Sequence, residues 1–167
     1  GLNITVISFG AMLTPEAEVL ETAFDHGVNY VDTARVYMGG RNEEIVGRAL
    51  KGRRNRVYVA TKTTGRSGKQ VIRDVETSLR MLETDRIDVI QLHSISGRQD
   101  RIFSPDIREA LLKLRQQGKV RFFGVTSHSN EAEVLHALVD DRDRFFDVAL
   151  VKYNFESDAA TTKALAR

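Results

Sequence analysis

An acid, a phenol, an ammonium and an imidazole occur in order as Asp32, Tyr37, Lys62 and His93. Three of them close apolar runs: Asp32 follows Val28–Val31, Lys62 follows Val57–Thr61 and His93 follows Ile87–Leu92. Tyr37 stands in the loop after Asp32. A phenol is a poor acid near neutrality, with an ordinary pKa of about 10. A neighbouring ammonium stabilises phenolate, and a buried ammonium in turn needs a carboxylate. Asp32 can be that partner for Lys62. Tyr37 could then give a proton to a carbonyl oxygen as negative charge develops there. His93 could hydrogen-bond and orient the same oxygen. Taken singly, each residue has a plainer role: turn cap, loop aromatic, solvated lysine, core histidine. An acid, an ammonium and an imidazole at three successive strand ends weigh against that plainer account.

The elements that must position them alternate along the chain. Runs dense in Val, Ile and Phe read as strands covered on both faces: Ile4–Phe9, Val28–Val31, Val57–Thr61, Ile87–Leu92, Val120–Thr126 and Phe146–Val151. Amphipathic stretches separate them. Thr14–Pro15 reads as a cap and first helical residue, and Asn42 as the cap of the next helix. A third helix runs from about Gly68, with Val71, Val75, Leu79 and Leu82 on one face. Ser104–Pro105 repeats the cap-and-proline pattern, Asn130 starts the fifth helix, and a sixth begins near Ser157 and runs to Arg167. Gly27, Gly52 and Gly118 serve as helix stops.

Strand–helix units in succession imply a parallel sheet with right-handed crossovers. A doubly wound sheet and a (β/α)₈ barrel both fit. The even unit length favours the barrel, and no G-x-G-x-x-G follows a strand. The expectation is α/β: about six β/α units of a TIM barrel, one domain over residues 1–167 that stops before strands seven and eight. In such folds the C-terminal strand ends carry the chemistry. Parity along Ile87–His93 turns Gln91 and His93 inward, and Lys62 shares a face with Ala60.

Composition sets outer limits. The chain of 167 residues is 41% hydrophobic and 29% charged, as globular domains are. A net charge of +2 is too mild to argue for nucleic acid. The basic run Lys51–Arg56 falls just before the third strand, away from the four residues above, and reads as a solvated loop. There is no cysteine, hence no thiolate metal site. No histidine pair has metal-ligand spacing with a third ligand, so no metal is expected. His128 reads as a helix-start residue, and His26 and His136 as surface or packing residues. No stretch approaches a membrane span. No signal peptide is visible, and the expected location is cytoplasmic, although the chain opens on Gly1 and an upstream segment can precede it. The polar loop Ser94–Ser104, with Arg98, Asp100 and Arg101, either borders a substrate or is a solvent loop.

Several stretches together resemble the aldo-keto reductases. VDTARVYMGGRNEEIVGRALKG is similar to the signature around that family's catalytic Asp and Tyr. VYVATK resembles the strand ending in its Lys, and LETDRIDVIQLH the segment ending in its His. GKVRFFGVTSH resembles its fifth-strand motif and FFDVALVKYNF its sixth. The resemblance covers essentially the whole chain. It implies an NADPH-linked carbonyl reductase, with NADH possible, acting on a small-molecule carbonyl substrate without nucleic acid or membrane. It places the proton donor at Tyr37, its tuning at Lys62 and Asp32, and substrate orientation at His93. It puts nicotinamide contacts at Thr126, Ser127 and Asp32, although Thr126-Ser127 replace the family's usual Ser-Asn, and Leu150 stands where a Gln is usual. A strand end and a helix cap are an equal account of Thr126 and Ser127. The same family contains channel β-subunits, so a nicotinamide-binding regulatory subunit without significant turnover is the alternative, followed by an inactive fragment.

Overall fold

The computed structural model describes residues 1–154 and 156–166. Six strands form one parallel sheet in chain order: β1 (Phe9–Gly10), β2 (Tyr30–Asp32), β3 (Tyr58–Thr63), β4 (Ile87–Leu92), β5 (Val120–Ser127) and β6 (Val148–Val151). Helices alternate with them: α1 (Ala17–Asp25), α2 (Asn42–Ala49), α3 (Gly68–Met81), α4 (Asp100–Phe103), α5 (Pro105–Gln116), α6 (Glu131–Val139) and α7 (Ala159–Leu165). The architecture is six strands of an incomplete (β/α)₈ barrel. Phe155 and Arg167, which end the sixth-strand motif and the expected last helix, lie outside the described residues.

The register explains which residues share a face. Lys62 lies beside Gln91, Gln91 beside Gly124, and Asp32 beside Ala60. Side chains alternate along a strand, so these point one way. Val31, Val59, Ile90, Leu92, Phe123 and Val125 point the other way, into the helix layer. There they meet Leu20, Phe24, Val46, Val71, Val75, Ile107, Leu111 and Leu114 in one buried core. Each such aliphatic side chain removed from water stabilises the fold by about 1.5–3 kcal/mol, and that burial seats the helices on the sheet.

The helix starts are partly as expected. Ser67 accepts from the Gln70 amide and Ser104 from the Ile107 amide, so α3 and α5 are capped, α5 with Pro105 in its first turn. Other expectations fail for local reasons. The run Ile4–Phe9 is not a strand before Phe9: the Thr5 amide donates to the Asn29 side chain at 2.8 Å instead of to a ladder, and Ile4, Val6 and Ile7 are exposed. Thr14–Pro15 belongs to a turn in which Thr14 donates to the Ala11 carbonyl at 2.9 Å, so α1 begins two residues later. Asn42 is the first residue inside α2, not its cap; its side chain is spent elsewhere. Asn130 precedes α6 in a left-handed conformation, φ 52°, without a side-chain cap bond.

The loop Lys51–Arg56 is not simply solvated. Arg54 is largely buried and donates to the carbonyls of Val57 and Arg86 and to Asp88, while Arg53 pairs with Asp25. Asp88, 1% exposed, also accepts from Arg121 and from the Val59 amide. These bonds lock the end of the sheet opposite His93. Among the described residues no helix is long and apolar enough to cross a membrane.

At Gly47 of α2 the chain passes close to the end of α3, and an added Cβ would sit 2.8 Å from the Leu82 backbone. Backbone cannot rotate away as a side chain can. Gly47→Ala is therefore expected to lower stability by about 1–3 kcal/mol, read from the urea midpoint. An unchanged midpoint would contradict this packing of α2 against the end of α3.

Candidate active site

Lys62 is the centre of the site. It is the next-to-last residue of β3, faces inward and is 1% exposed. An ammonium has three N–H donors and no acceptor, and all three are used. One goes to the Asp32 carboxylate in a short ion pair, one to the Thr33 carbonyl at 2.7 Å, and one to the Tyr37 phenol oxygen at 3.1 Å. The ammonium also lies 4.7 Å from the Tyr37 ring centroid. Because the phenol oxygen accepts from Lys62, its own proton remains available to another acceptor. The second Asp32 oxygen accepts from Gln91 at 2.9 Å. Gln91 has room there because residue 124 is glycine: a Cβ would stand 3.0 Å from the Gln91 Cγ.

Tyr37 is held by its loop. Met38, Gly39 and Gly40 follow it with φ of 52°, 65° and 96°. For Met38 that left-handed conformation costs about 1–2 kcal/mol, so something must enforce it. Two buried polar groups of α2 do so. Glu43, fully buried, accepts from Arg35 at 2.9 Å and from Thr61 at 2.7 Å. The Arg35 guanidinium packs against Gly40, where a Cβ would meet it at 3.0 Å. Asn42 donates to the Ala11 carbonyl at 2.7 Å and accepts from the Thr33 hydroxyl at 2.6 Å. The ends of β1, β2 and β3 and the start of α2 are thereby tied together around Lys62.

His93 follows β4. Its backbone is pinned on both sides: the amide donates to Thr63 at 2.9 Å and the carbonyl accepts from Arg101 at 3.1 Å. Its ring meets Tyr37 edge-on, centroids 5.7 Å apart. Burial, then the charges of Lys62, His128 and Arg101, lower its pKa from 6.5 to about 4. The imidazole is neutral near pH 7 and carries one N–H donor. Tyr30, two residues before Asp32 on the same face, is different: burial first, then the Asp32 and Asp88 carboxylates, push its phenol well up and keep it protonated.

The structure thus brings Asp32, Tyr37, Lys62 and His93 together. Thr126 and Ser127 end β5 and are fully buried. The Thr126 hydroxyl accepts from the Ser94 amide at 2.9 Å, which leaves its proton free to donate. The Ser127 hydroxyl is engaged with Ser96 and the Ser129 carbonyl. Three contributors had no assigned role at the level of sequence. Gln91 was legible as inward-facing by its parity with His93. The Thr33 carbonyl carries no residue-type signal, since any residue supplies one. The Arg35–Glu43 clamp depends on a turn that residue types alone did not reveal.

The chain is similar to known proteins. The model of the aldo/keto reductase family matches residues 10–164. An uncharacterised oxidoreductase of Bacillus subtilis, YqkF, is 37% identical over 138 residues, covering 75% of this chain and 44% of its own. A protein of Arabidopsis thaliana described as a probable voltage-gated potassium channel subunit beta is 35% identical over 113 residues, covering 56% of this chain and 34% of its own. The crystal structure of an aldo/keto reductase from Klebsiella pneumoniae in complex with NADP and acetate superposes with a TM-score of 0.79 at 30% identity, covering 92% of this chain and 56% of that one. The chain spans under half the length of these two relatives.

The His93 shift sets an acid sensitivity. As pH falls from 6.5, the unfolded chain takes up the imidazole proton before the folded chain does, so stability is lost down to about pH 4. His93→Gln is expected to lose less stability than the wild type between these limits, in urea unfolding at the two ends of the window. Equal losses would remove His93 as a source of the acid sensitivity.

Proposed function

The chain belongs to the aldo/keto reductase family, and from that premise we propose that it carries the proton-transfer residues of an NADPH-dependent oxidoreductase reducing small aldehydes or ketones to alcohols. The observation that carries this reading is the full commitment of the Lys62 ammonium, with the Tyr37 oxygen as one of its three acceptors. Tyr37 donates its proton to the carbonyl oxygen. The phenolate left behind is stabilised by Lys62, whose charge Asp32 balances. Neutral His93 donates an N–H to the same carbonyl oxygen and orients it, without competing with Tyr37 as an acid.

The cofactor supplies the hydride to the carbonyl carbon. NADPH is favoured because the Klebsiella relative is described with NADP; NADH is the lesser choice. The polar groups present suit a nicotinamide. The Oε1 of Gln91 is buried without a hydrogen-bond partner, and the Thr126 hydroxyl still has its proton to give. Thr126 would hold the carboxamide. Ser127 would brace the strand end through Ser96, and Asp32 would contribute to the pocket for the nicotinamide.

A second reading, a nicotinamide-binding regulatory subunit with little turnover, is supported by the likeness to the plant channel β-subunit. Four residues arranged as here serve either. NADPH consumption with a panel of aldehydes separates them. For the reductase, Tyr37→Phe is expected to lower kcat by about 10²–10⁴-fold while NADPH affinity is retained. Tight NADPH binding with negligible turnover in the wild-type protein would overturn the reductase and leave the regulatory subunit.

A further inference from the structure

Arg101 of α4 is 3% exposed and has no carboxylate partner. Its guanidinium donates only to main-chain carbonyls: to His93 at 3.1 Å, Thr63 at 3.1 Å and Gly65 at 2.9 Å. Three of five N–H groups are used in this way. The Nε is buried with no partner at all. A guanidinium taken out of water is normally matched by an anion, because carbonyl dipoles replace only part of its hydration. The neighbouring Gln99 repeats the pattern, with its Nε2 buried and unpaired. Two orphaned donors therefore stand within three residues of the same loop.

Two more guanidiniums surround this position. Arg66, from the loop between β3 and α3, and Arg98, from the loop after β4, line one cavity of about 140 Å³ together with Arg101 and Asp100. Arg66 and Arg98 are exposed and form no ion pair among the described residues. Asp100, also exposed, lines the cavity with them, and Asp74 is a second carboxylate whose charge reaches Arg101. Burial first, then the charges of Arg98 and Arg66, disfavour the charged form of Arg101, and Asp100 and Asp74 oppose them only in part. The cavity adjoins the strand end that carries His93, since Arg101 holds the His93 carbonyl.

We propose that this cavity binds an oxyanion, the phosphate or carboxylate group of a small molecule. Arg101 supplies the buried charge, already fixed by its three carbonyls. Arg66 and Arg98 close on the anion from solvent with the paired N–H geometry that suits planar and tetrahedral oxyanions. Two sources share this chemistry: a carbonyl substrate with an acidic group, and a free anion that binds beside the site.

The test is a calorimetric titration of inorganic phosphate into the protein of the full reading frame, at low salt and without cofactor. Saturable binding is expected. It should weaken at least about tenfold in the double variant Arg66→Gln/Arg98→Gln, as the loss of two charge-assisted contacts implies. It should also weaken as salt is added. Both substituted positions are exposed, so circular dichroism should match the wild type, which Arg101→Gln would not guarantee. No saturable binding, or equal affinity in the double variant, overturns the proposal. The titration requires no turnover, so its outcome is independent of the reductase reading. KM for an aldehyde bearing a carboxylate, measured against a neutral one, then identifies the source. A selective rise in the double variant assigns the anion to the substrate. An unchanged ratio with phosphate binding lost assigns it to a free anion.

Discussion

The burial of one ammonium organises this half of the molecule. Lys62 is almost wholly withdrawn from water, and an ammonium in that position is tolerated only when its charge is balanced and its donors are filled. A carboxylate, a carbonyl and a phenol oxygen meet those demands from three directions. Removing any of them leaves a buried donor unmatched. The need to satisfy Lys62 therefore fixes Asp32, the backbone at Thr33 and the position of Tyr37 together.

The strain nearby follows from the same constraint. The chain must turn sharply after Tyr37 if the phenol is to reach Lys62, and Met38 takes up a left-handed conformation in that turn. The first turn of α2 contains the residues that hold it. Asn42 and Glu43 would be unremarkable on a helix surface, yet both are fully buried here and both bond to the loop or to the strands. The helix thus supports the site with its polar start and the core with Ile45, Val46 and Ala49.

The two ends of the sheet treat buried charge in opposite ways. At the end away from His93, the buried Asp88 carboxylate is matched by both Arg54 and Arg121 within the protein. At the other end Arg101 is held by carbonyls alone, and Lys62 faces an Asp32 that is 18% exposed. Closed pairs suit a part that only has to be stable. An Arg101 without a carboxylate partner, a partly exposed Asp32 and a neutral imidazole suit a surface that meets polar ligands.

The amino-acid sequence by itself determined the strand–helix alternation, the cap at Ser104, the start of the third helix near Gly68, and the inward parity of Gln91 and His93. Each depends on local periodicity or on residues within one helical turn, so neighbours in sequence suffice. Asp32, Lys62 and His93 were legible because strand ends are marked by the close of apolar runs, and Tyr37 by its place in the loop after Asp32. What only the tertiary structure decided was how those residues are held. Ile4–Phe9 has the composition of a strand, but pairing needs a neighbour, and Thr5 bonded to the Asn29 side chain instead. Asn42 has the type of a helix cap, but buried carbonyl and hydroxyl partners from Ala11 and Thr33 claimed its amide. The unmatched charge of Arg101 is a property of the space around it. Burial and partner choice are set by segments distant in sequence, and no local pattern encodes them.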